Sequence, residues 1–304
     1  DILKLMPAIL PILLFIPLTV ISLASIVVTS LKNIPTTSLL PSPVASPSST
    51  PTPVPSPTPS PGPTPTPTPS PGPTPTQVPQ AQSSGSITSL AGATVLTYDL
   101  ASITVVTDTA NDNDCANDCP TKPLAQHIAD NGGRAGMNGT YFCPPDYASC
   151  AGKVSSFDFP VFNNRLKKWI NADKLFWGGR GMFTFRPGSA TFYANAASGD
   201  ASTDLSGGIV NYPSLIAGGN VVLNEGSIPD NLKTKGSRSG IGTGGGKLFL
   251  VVARSASMSD LVAIFQQLGA TDALNLDGGG SVALYDGGYK VGPGRSLPNA
   301  VIIK

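Results

Sequence analysis

The distribution of apolar and polar residues divides the chain into three segments, and the first is almost entirely apolar. No charged residue occurs from Leu5 to Leu31, a run of 27 positions. About 20 apolar residues are enough for a helix to span a bilayer core, so this run predicts a transmembrane anchor over residues 5–31. A cleaved signal peptide is the alternative, but its apolar core usually covers only about 7–15 residues before a small-x-small cleavage site. The run is longer than that and no clear site of this kind follows, which favours the anchor.

The second segment, residues 32–85, has the composition of a Pro/Thr/Ser-rich linker. Eighteen of the chain's 31 prolines lie between Pro35 and Pro79, and no charge occurs from Asn33 to Gly85. Such a segment has nothing to bury, so we expect a disordered, polyproline II stalk. At about 3.1 Å per residue, residues 41–79 would extend on the order of 120 Å. An SH3-type ligand is disfavoured because no Arg or Lys accompanies the prolines.

The third segment, residues 86–304, alternates short apolar runs with polar turns and is the only part able to form a core. Alternation and β-branched residues predict strands at 94–100, 103–108, 181–186, 190–194, 247–253, 273–276, 282–285, 290–291 and 300–303. Helices are expected over Pro123–Asp130 and from Ser257 or Ser259 to about Leu268.

These elements predict an α+β fold. The strand–helix–strand pattern from Leu248 to Leu276 indicates a local parallel crossover, whereas the hairpins indicate antiparallel pairs. We therefore expect a mixed β-sheet domain with a few helices, preceded by one transmembrane helix and the disordered Pro-rich stalk.

Charge and cysteine content narrow the function and the location of this domain. It carries 17 basic and 17 acidic residues, a balance that argues against the basic patch of a nucleic-acid-binding protein. An even, clustered set of cysteines beyond a membrane suggests two disulfides of undefined pairing; these are Cys115, Cys119, Cys143 and Cys150. Zinc is less favoured because their spacing departs from the usual ligand pattern. The domain is expected outside the cytoplasm, in the periplasm or at the cell surface.

Titratable residues offer few options for acid–base chemistry. The single histidine, His127, falls in the short predicted helix, where we expect it at the surface or half buried rather than in a Ser-His-Asp triad. Asp112 and Asp114 lie in a loop rich in carboxylates, where a Ca²⁺ ion could bind, but EF-hand spacing is absent and a solvated loop is favoured. We therefore expect no required cofactor.

The most unusual segment is Leu274–Ser281, where an apolar strand ends in Asp277 and three glycines. Consecutive glycines suit a backbone that approaches a ligand and presents N–H groups to an anion, whereas a plain β-turn rarely needs three. Upstream, Arg238 stands among small residues, where its guanidinium suits a phosphate or carboxylate. A surface salt bridge is an equally open interpretation of Arg238.

Four segments, in order, resemble the phosphodiester glycosidase family. They are Asn138–Phe142, Arg238–Gly242, Leu274–Ser281 and Leu297–Ala300, and the third matches the family's Leu-Asn-Leu-Asp-Gly-Gly-Gly-Ser letter for letter. Thr140 and Tyr141 depart from the family's Gly and Phe, and Val282 stands where a second Ser is common.

The resemblance implies hydrolysis of sugar-1-phosphodiester bonds in glycans or glycoconjugates. Because a phosphate monoester leaves more readily than a sugar hydroxyl, strong protonation is less necessary than in ordinary glycosidases. We expect Asp277 to be the catalytic carboxylate, Arg238 the phosphate ligand and Glu225 a second carboxylate, with no metal. Substrate binding is expected at Asn138, Gly139, Asn275, Gly278, Gly279, Gly280, Ser281 and Asn299.

The function predicted from sequence is therefore a membrane-anchored extracytoplasmic glycosidase. Its expected partners are a sugar-phosphate or glycan substrate and, through residues 5–31, the membrane; no nucleic acid is expected. The alternative is a non-catalytic envelope module that binds phosphorylated glycans or cell-wall polymer. A purely structural stalked surface protein is a third interpretation.

Overall fold

The computed structural model of the chain describes residues 85–304. The first described strand begins at Ser86, and the predicted anchor and linker lie outside the described residues. In chain order the elements are β1 (Ser86–Leu90), β2 (Ala93–Asp99), β3 (Val105–Thr109), α1 (Leu124–Asp130), β4 (Ala135–Asn138), β5 (Val161–Asn163), β6 (Lys168–Ile170), β7 (Gly181–Arg186), β8 (Ser189–Tyr193), β9 (Gly207–Asn211), β10 (Ser214–Ala217), β11 (Asn220–Val221), α2 (Asp230–Lys233), β12 (Gly236–Gly244), β13 (Lys247–Ala256), α3 (Met258–Gln267), β14 (Asp272–Asn275), β15 (Leu284–Asp286), β16 (Tyr289–Val291) and β17 (Asn299–Ile303).

The strands form three sheets. The first sheet has the order β1-β2-β13-β12-β14-β10-β11, the second β16-β15-β4-β17-β3, and the third β6-β5-β9-β7-β8. Every ladder among the described strands is antiparallel. The domain is thus mostly β-sheet with few helices, as the sequence predicts.

The prediction of a mixed sheet with a parallel pair is wrong. The connection β13–α3–β14 does join two strands of the same direction, but β12 lies between them and pairs antiparallel with both. Sequence periodicity identifies the strand–helix–strand unit correctly but does not show that the preceding hairpin partner occupies the space between its two strands.

The helix α3 covers one face of the first sheet. Ser257 caps its first turn in a reciprocal capping box with Asp260, which satisfies backbone donors that a helix start leaves open. Its buried residues Leu261 and Phe265 belong to the same apolar cluster as Phe249 and Val251 of β13. The opposite face of this sheet contributes to a larger apolar core.

The three sheets share that core. Buried side chains from each sheet form one cluster, among them Leu250 and Leu274 of the first sheet, Met137 and Val301 of the second, and Phe183 and Ile209 of the third. Thr107 of β3 also binds the third sheet, because its Oγ1 donates to the Phe162 carbonyl at 2.6 Å and accepts the Gly208 N–H at 2.8 Å. Sequence-distant strands are thus held in fixed positions around the core.

His127 is fully buried, so the prediction of a surface or half-buried position is wrong. It lies in α1, which packs on the second sheet, with Nδ1 2.8 Å from Asp108 Oδ2 and Nε2 3.0 Å from the Leu297 carbonyl. Asp108 Oδ1 accepts a hydrogen bond from Arg165 Nε at 2.8 Å. Asp108 belongs to a buried strand rather than to a solvated loop, and His127 has a structural role there.

The cysteines form two local disulfides, Cys115–Cys119 and Cys143–Cys150, and no free cysteine occurs among the described residues. This pairing excludes the zinc alternative and is typical of proteins in extracytoplasmic compartments. No helix in residues 85–304 is long and apolar enough to cross a membrane. The run predicted to do so, residues 5–31, lies outside this range.

Candidate active site

Strand ends from all three sheets meet at one place. Asn138 ends β4, Asn275 ends β14, Asn211 ends β9 and Asn299 begins β17. All four side chains are buried, with exposed fractions of at most 1%. The segment Leu274–Ser281 passes through this convergence and carries Asp277 at its centre.

The backbone of Asp277 is fixed by hydrogen bonds from two other segments. Its carbonyl accepts from Asn138 Nδ2 at 2.8 Å and from Ser239 Oγ at 2.7 Å, and its N–H donates to the Gly139 carbonyl at 2.9 Å. Three of the segments that resemble the family therefore meet at the backbone of one residue, Asp277.

The Asp277 carboxyl is buried with incomplete hydrogen bonding. Its Oδ1 accepts the Gly278 N–H at 2.8 Å, its Oδ2 has no partner, and the residue is 8% exposed. Burial raises the pKa of Asp277 to about 7, although the Ser281 hydroxyl, the Gly278 N–H and the charge of Arg295 act in the opposite direction. A carboxyl that changes its charge near neutral pH is suited to acid–base or electrostatic catalysis.

The three glycines after Asp277 form a turn with two unoccupied amides. Gly278 donates to Asp277, so the expectation that all three amides are open to an anion is wrong for this one. The N–H groups of Gly279 and Gly280 have no acceptor in residues 85–304. Gly279 has a φ of +61°, which favours glycine, and a Cβ on Gly280 would lie 2.8 Å from Arg295 Cζ. The glycines therefore permit both the turn and the approach of a cation.

Arg238 approaches the same turn from β12. Its Nε donates to the Ala256 carbonyl at 3.1 Å and its Nη2 donates to two further carbonyls, those of Asn231 and Thr234. Its Nη1 has no hydrogen-bond partner in the described domain and lies on the side of Gly278. Burial lowers the pKa of Arg238, and no carboxylate pairs with it in residues 85–304. The salt-bridge interpretation is therefore wrong, and one edge of the guanidinium is left for an anion.

A second guanidinium, that of Arg295, was not singled out by sequence reasoning. Its backbone N–H donates to the Gly280 carbonyl at 2.9 Å, and its Nη1 lies 3.5 Å from Ser281 Oγ. Asp146 forms an ion pair with it, and its Cζ lies 5.2 Å from the centroid of the Tyr147 ring. The only available sequence signal was an Arg next to the Gly-Pro-Gly turn that precedes Leu297–Ala300.

The loop that holds Arg295 is closed by the disulfide Cys143–Cys150, which brackets both Asp146 and Tyr147. Its base is joined to the following chain, since Cys143 N–H donates to the Ser156 carbonyl at 2.9 Å. The disulfide thus closes the loop whose residues Asp146 and Tyr147 contact Arg295.

Tyr141 forms hydrogen bonds with two of the four asparagines at the strand ends. Its hydroxyl accepts from Asn275 Nδ2 at 2.6 Å, and Asn211 Oδ1 accepts its N–H at 3.3 Å. Burial, followed by the negative charge of Asp277, raises the pKa of Tyr141, while Arg238 acts against this. No sequence signal distinguishes Asn211, because it is the last residue of an ordinary buried strand. It joins the site to the third sheet by donating to the Asn275 carbonyl at 2.8 Å.

The predicted substrate-binding residues have different surroundings. Asn138 has all its side-chain groups bound within the protein, including the Ala283 N–H at 3.2 Å, so it orders the loops. Asn275 Oδ1 and Asn299 Nδ2 are buried without partners. Gly139 leaves room for Asn299, since a Cβ there would collide with its Oδ1.

Glu225 is not brought to this group. It lies exposed after β11 and accepts a hydrogen bond from Ser259 Oγ near the start of α3. The prediction of a second catalytic carboxylate at Glu225 receives no support from this position.

The suggested Ca²⁺ position also lacks a ligand cluster. Asp112 pairs with Arg165, and Asp114 Oδ1 accepts the Asn171 N–H at 2.6 Å. Within the described residues, no group of three or more His, Cys, Asp or Glu side chains is arranged to hold a metal. Asp114 instead lines a cleft of about 350 Å³ beside Lys153 and Lys174, and none of the residues lining this cleft belongs to the group around Asp277.

Comparison with known proteins agrees with the motifs. The family model for phosphodiester glycosidases matches residues 133–304, more than half of the chain. No curated protein matches the chain.

One of the similar solved structures shares the fold at low identity. The zebrafish N-acetylglucosamine-1-phosphodiester alpha-N-acetylglucosaminidase catalytic domain, auto-inhibited by its pro-peptide, has 15% identity and a TM-score of 0.54, covering 72% of this chain and 81% of that one. A hypothetical protein from Synechocystis has 16% identity and a TM-score of 0.49. The match covers 72% of this chain and 61% of the Synechocystis chain, which is less than two thirds of its length. The match to the family model over residues 133–304, which include every segment that meets at Asp277, shows that the chain belongs to the phosphodiester glycosidase family.

Proposed function

We propose that the chain hydrolyses sugar-1-phosphodiester bonds in glycans or glycoconjugates, with Asp277 as the catalytic carboxylate. The observation that carries the proposal is that this half-satisfied carboxyl directly precedes a glycine turn, which two guanidinium groups approach and which leaves the amides of Gly279 and Gly280 open. Cations and N–H donors suit the phosphate, and a carboxylate suits the positive charge that develops on the sugar. Family membership supports the reaction class.

Phosphate binding is assigned to the turn and its cations. Arg238 presents Nη1, while Arg295 lies against Gly280 on the other side of the turn. A diester carries one negative charge and gains a second as it becomes a monoester, so fixed positive groups stabilise the leaving phosphate more than the bound substrate. Neither cation needs to transfer a proton.

The reaction breaks the bond between the anomeric carbon and the phosphate oxygen. The phosphate monoester leaves with the electron pair, and a water molecule adds through its oxygen to the anomeric carbon and gives up one proton to the solvent or to the departing phosphate monoester. Asp277 in its ionised form stabilises the charge on the sugar ring. Asn275 Oδ1 and Asn299 Nδ2, both without partners, are proposed to bind sugar hydroxyls, because unpaired buried polar atoms call for a ligand or a water.

The proposed location is the cell envelope. The two disulfides support an extracytoplasmic compartment. Anchoring by residues 5–31 is proposed from their apolar sequence alone, and it would hold the enzyme within about one stalk length of envelope glycans.

Assays of Asp277→Asn with a sugar-1-phosphodiester test this function. We expect kcat to fall at least about a thousandfold, since the charge that the reaction uses is lost, while Asp230→Asn, at an exposed carboxylate in α2, retains full activity. The wild-type kcat/KM should rise with pH through about 7, as Asp277 ionises. Full activity of Asp277→Asn would reject the assignment, and tight binding without turnover by the wild type would favour a non-catalytic binding module.

A further inference from the structure

An aromatic strip extends from the candidate site across the third-sheet side of the domain. The ring of Phe159 lies 6.0 Å from that of Tyr141, centroid to centroid. Arg180 Cζ lies 4.4 Å from the Phe159 ring and 4.7 Å from the Trp177 ring. Three consecutive contacts thus connect Tyr141, at the centre of the site, to Trp177.

The far end of the strip is exposed to solvent. Trp177 is 48% exposed and its neighbour Phe176 is 53% exposed, whereas Leu175 just before them is buried among the apolar side chains beneath the third sheet. The Trp177 N–H donates to the Lys174 carbonyl at 3.2 Å, which holds the segment in a tight turn. Adjacent exposed aromatic residues are uncommon on a monomer surface and often mark a binding site.

Arg180 carries a charge that has no hydrogen-bonded partner within residues 85–304. Its Nη1 is buried and finds no acceptor in this part of the chain. The nearby carboxylate of Asp158 forms its ion pair with Lys174, at 2.7 Å, instead. Arg165, Arg186 and Arg295 each have a carboxylate partner in the described domain. A buried N–H without an acceptor is costly, and a ligand anion would satisfy it.

We propose that Trp177 and Arg180 form an accessory subsite for a negatively charged sugar residue of the substrate, next to the one cleaved at Asp277. The Trp177 face would stack on the sugar ring, and Arg180 would bind its carboxylate or phosphate group through two N–H donors. The inference rests on the proposed function of the Asp277 site, since continuity through Phe159 and Tyr141 is what makes the strip part of one binding surface.

The test uses the full chain and a set of sugar-1-phosphodiesters. The minimal substrate is a single sugar with a methyl phosphodiester, and the others add one further sugar on either side of the phosphate: neutral, uronic acid or phosphorylated. We expect Trp177→Ala and Arg180→Gln to reduce kcat/KM for charged extended substrates at least about tenfold, mainly through KM. Turnover of the minimal substrate should stay unchanged. The uronic acid and phosphate arms identify which anion is preferred.

Matched variants separate binding from misfolding. Trp177→Phe should retain most of the selectivity because a ring remains, and Ile87→Ala truncates an exposed side chain of the first sheet and should have no effect. Equal losses on minimal and extended substrates, or no loss on the charged ones, would overturn the subsite.

Binding to the subsite can also be measured without catalysis. Trp177 fluorescence should respond to a charged disaccharide but not to a neutral one, and the response should vanish in Trp177→Phe, since the other tryptophan, Trp169, is buried. Saturable binding without turnover of any substrate would retain the subsite and reject the proposed hydrolysis. Turnover without a response to charge would reject the subsite and retain the hydrolysis.

Discussion

At the scale of single residues, the Asp277 carboxyl is held where its ionised form is costly. Burial is the dominant cause of its raised pKa, and Oδ2 lacks the hydrogen bond that would offset desolvation. A pKa that is shifted in this way is common for residues that take part in catalysis. The site therefore lowers the stability of the native state at the pH at which Asp277 carries its charge.

We expect the free energy of unfolding of the wild type to fall relative to that of Asp277→Asn as pH rises from about 4 to 7. The native carboxyl keeps its proton up to a pKa of about 7, while its ordinary value is 3.8. The native state thus binds more protons than the unfolded state in this window, and stability decreases with pH. The difference should reach on the order of 4 kcal/mol at most.

Urea unfolding at pH 4.5 and pH 8 measures this difference. Asp230→Asn serves as the control for removal of an exposed carboxylate. Parallel stability–pH curves for the wild type and Asp277→Asn would show that the carboxyl is not perturbed by burial.

The sequence identifies the residues of the site unevenly. Asp277 and Arg238 stand out because of their small neighbours, and both lie at the glycine turn. Arg295 and Asn211 do not stand out, because their roles arise from chain segments that meet only after folding. Glu225 is the only glutamate in residues 86–304, but residue type alone does not indicate where the side chain lies in the fold.

At the scale of elements, the disulfide-closed loop Cys143–Cys150 connects oxidation state to the site. It carries Asp146 and Tyr147 against Arg295. The disulfide therefore fixes the placement of these two side chains in addition to its effect on stability.

Replacing both Cys143 and Cys150 by Ser should lower kcat/KM about tenfold or more, because Arg295 loses the support of the loop. The matched control is the double Ser variant of Cys115 and Cys119, whose disulfide closes a similarly short loop. In the entropic account, each pair contributes about 2–3 kcal/mol to stability.

Activity assays and thermal unfolding of both double variants distinguish the two effects. Similar losses of stability, with a loss of activity only for the first pair, are the expected outcome. Equal activities in the two variants would mean that the loop does not position Arg295.

Two elements lie close to their predicted positions. The helix α3 begins at Met258, after Ser257, which is one of its two predicted caps, and ends at Gln267, next to the predicted end at about Leu268. The hairpin β7–β8 also lies at its predicted position. Sheet order could not be predicted, because the period-2 pattern specifies which face of a strand is buried but not which strand lies beside it.

At the scale of the whole molecule, Asp108 joins three parts of the fold. It lies in β3 of the second sheet, bonds His127 of α1, and accepts from Arg165, which follows β5 of the third sheet. Burial alone would raise the pKa of Asp108, but hydrogen bonds from His127 and Arg165 outweigh burial and lower it. Its contribution to stability is therefore present at neutral pH and is lost as pH falls below the ordinary range of a carboxyl.

Asp108→Asn should lower the free energy of unfolding by about 3 kcal/mol at pH 7, because Arg165 loses its carboxylate partner and the buried His127 Nδ1 loses a charged hydrogen-bond partner. Asp99→Asn is the control, since Asp99 pairs with Lys247 at the surface and should change stability little. Chemical denaturation followed by fluorescence measures both. A loss no greater than that of the control would show that the buried network does not stabilise the junction of the sheets.

The position of β17 between two earlier strands determines when the domain can complete its fold. This strand follows all the other described strands in sequence, yet it lies between β3 and β4 in the second sheet and pairs with both. The sheet cannot be completed until residues 299–303 have left the ribosome or the export channel. Until then β3 and β4 have unpaired edges, which are prone to aggregation. The domain is thus expected to complete its fold only after residues 299–303 have emerged, and to depend on protection of its early strands until then.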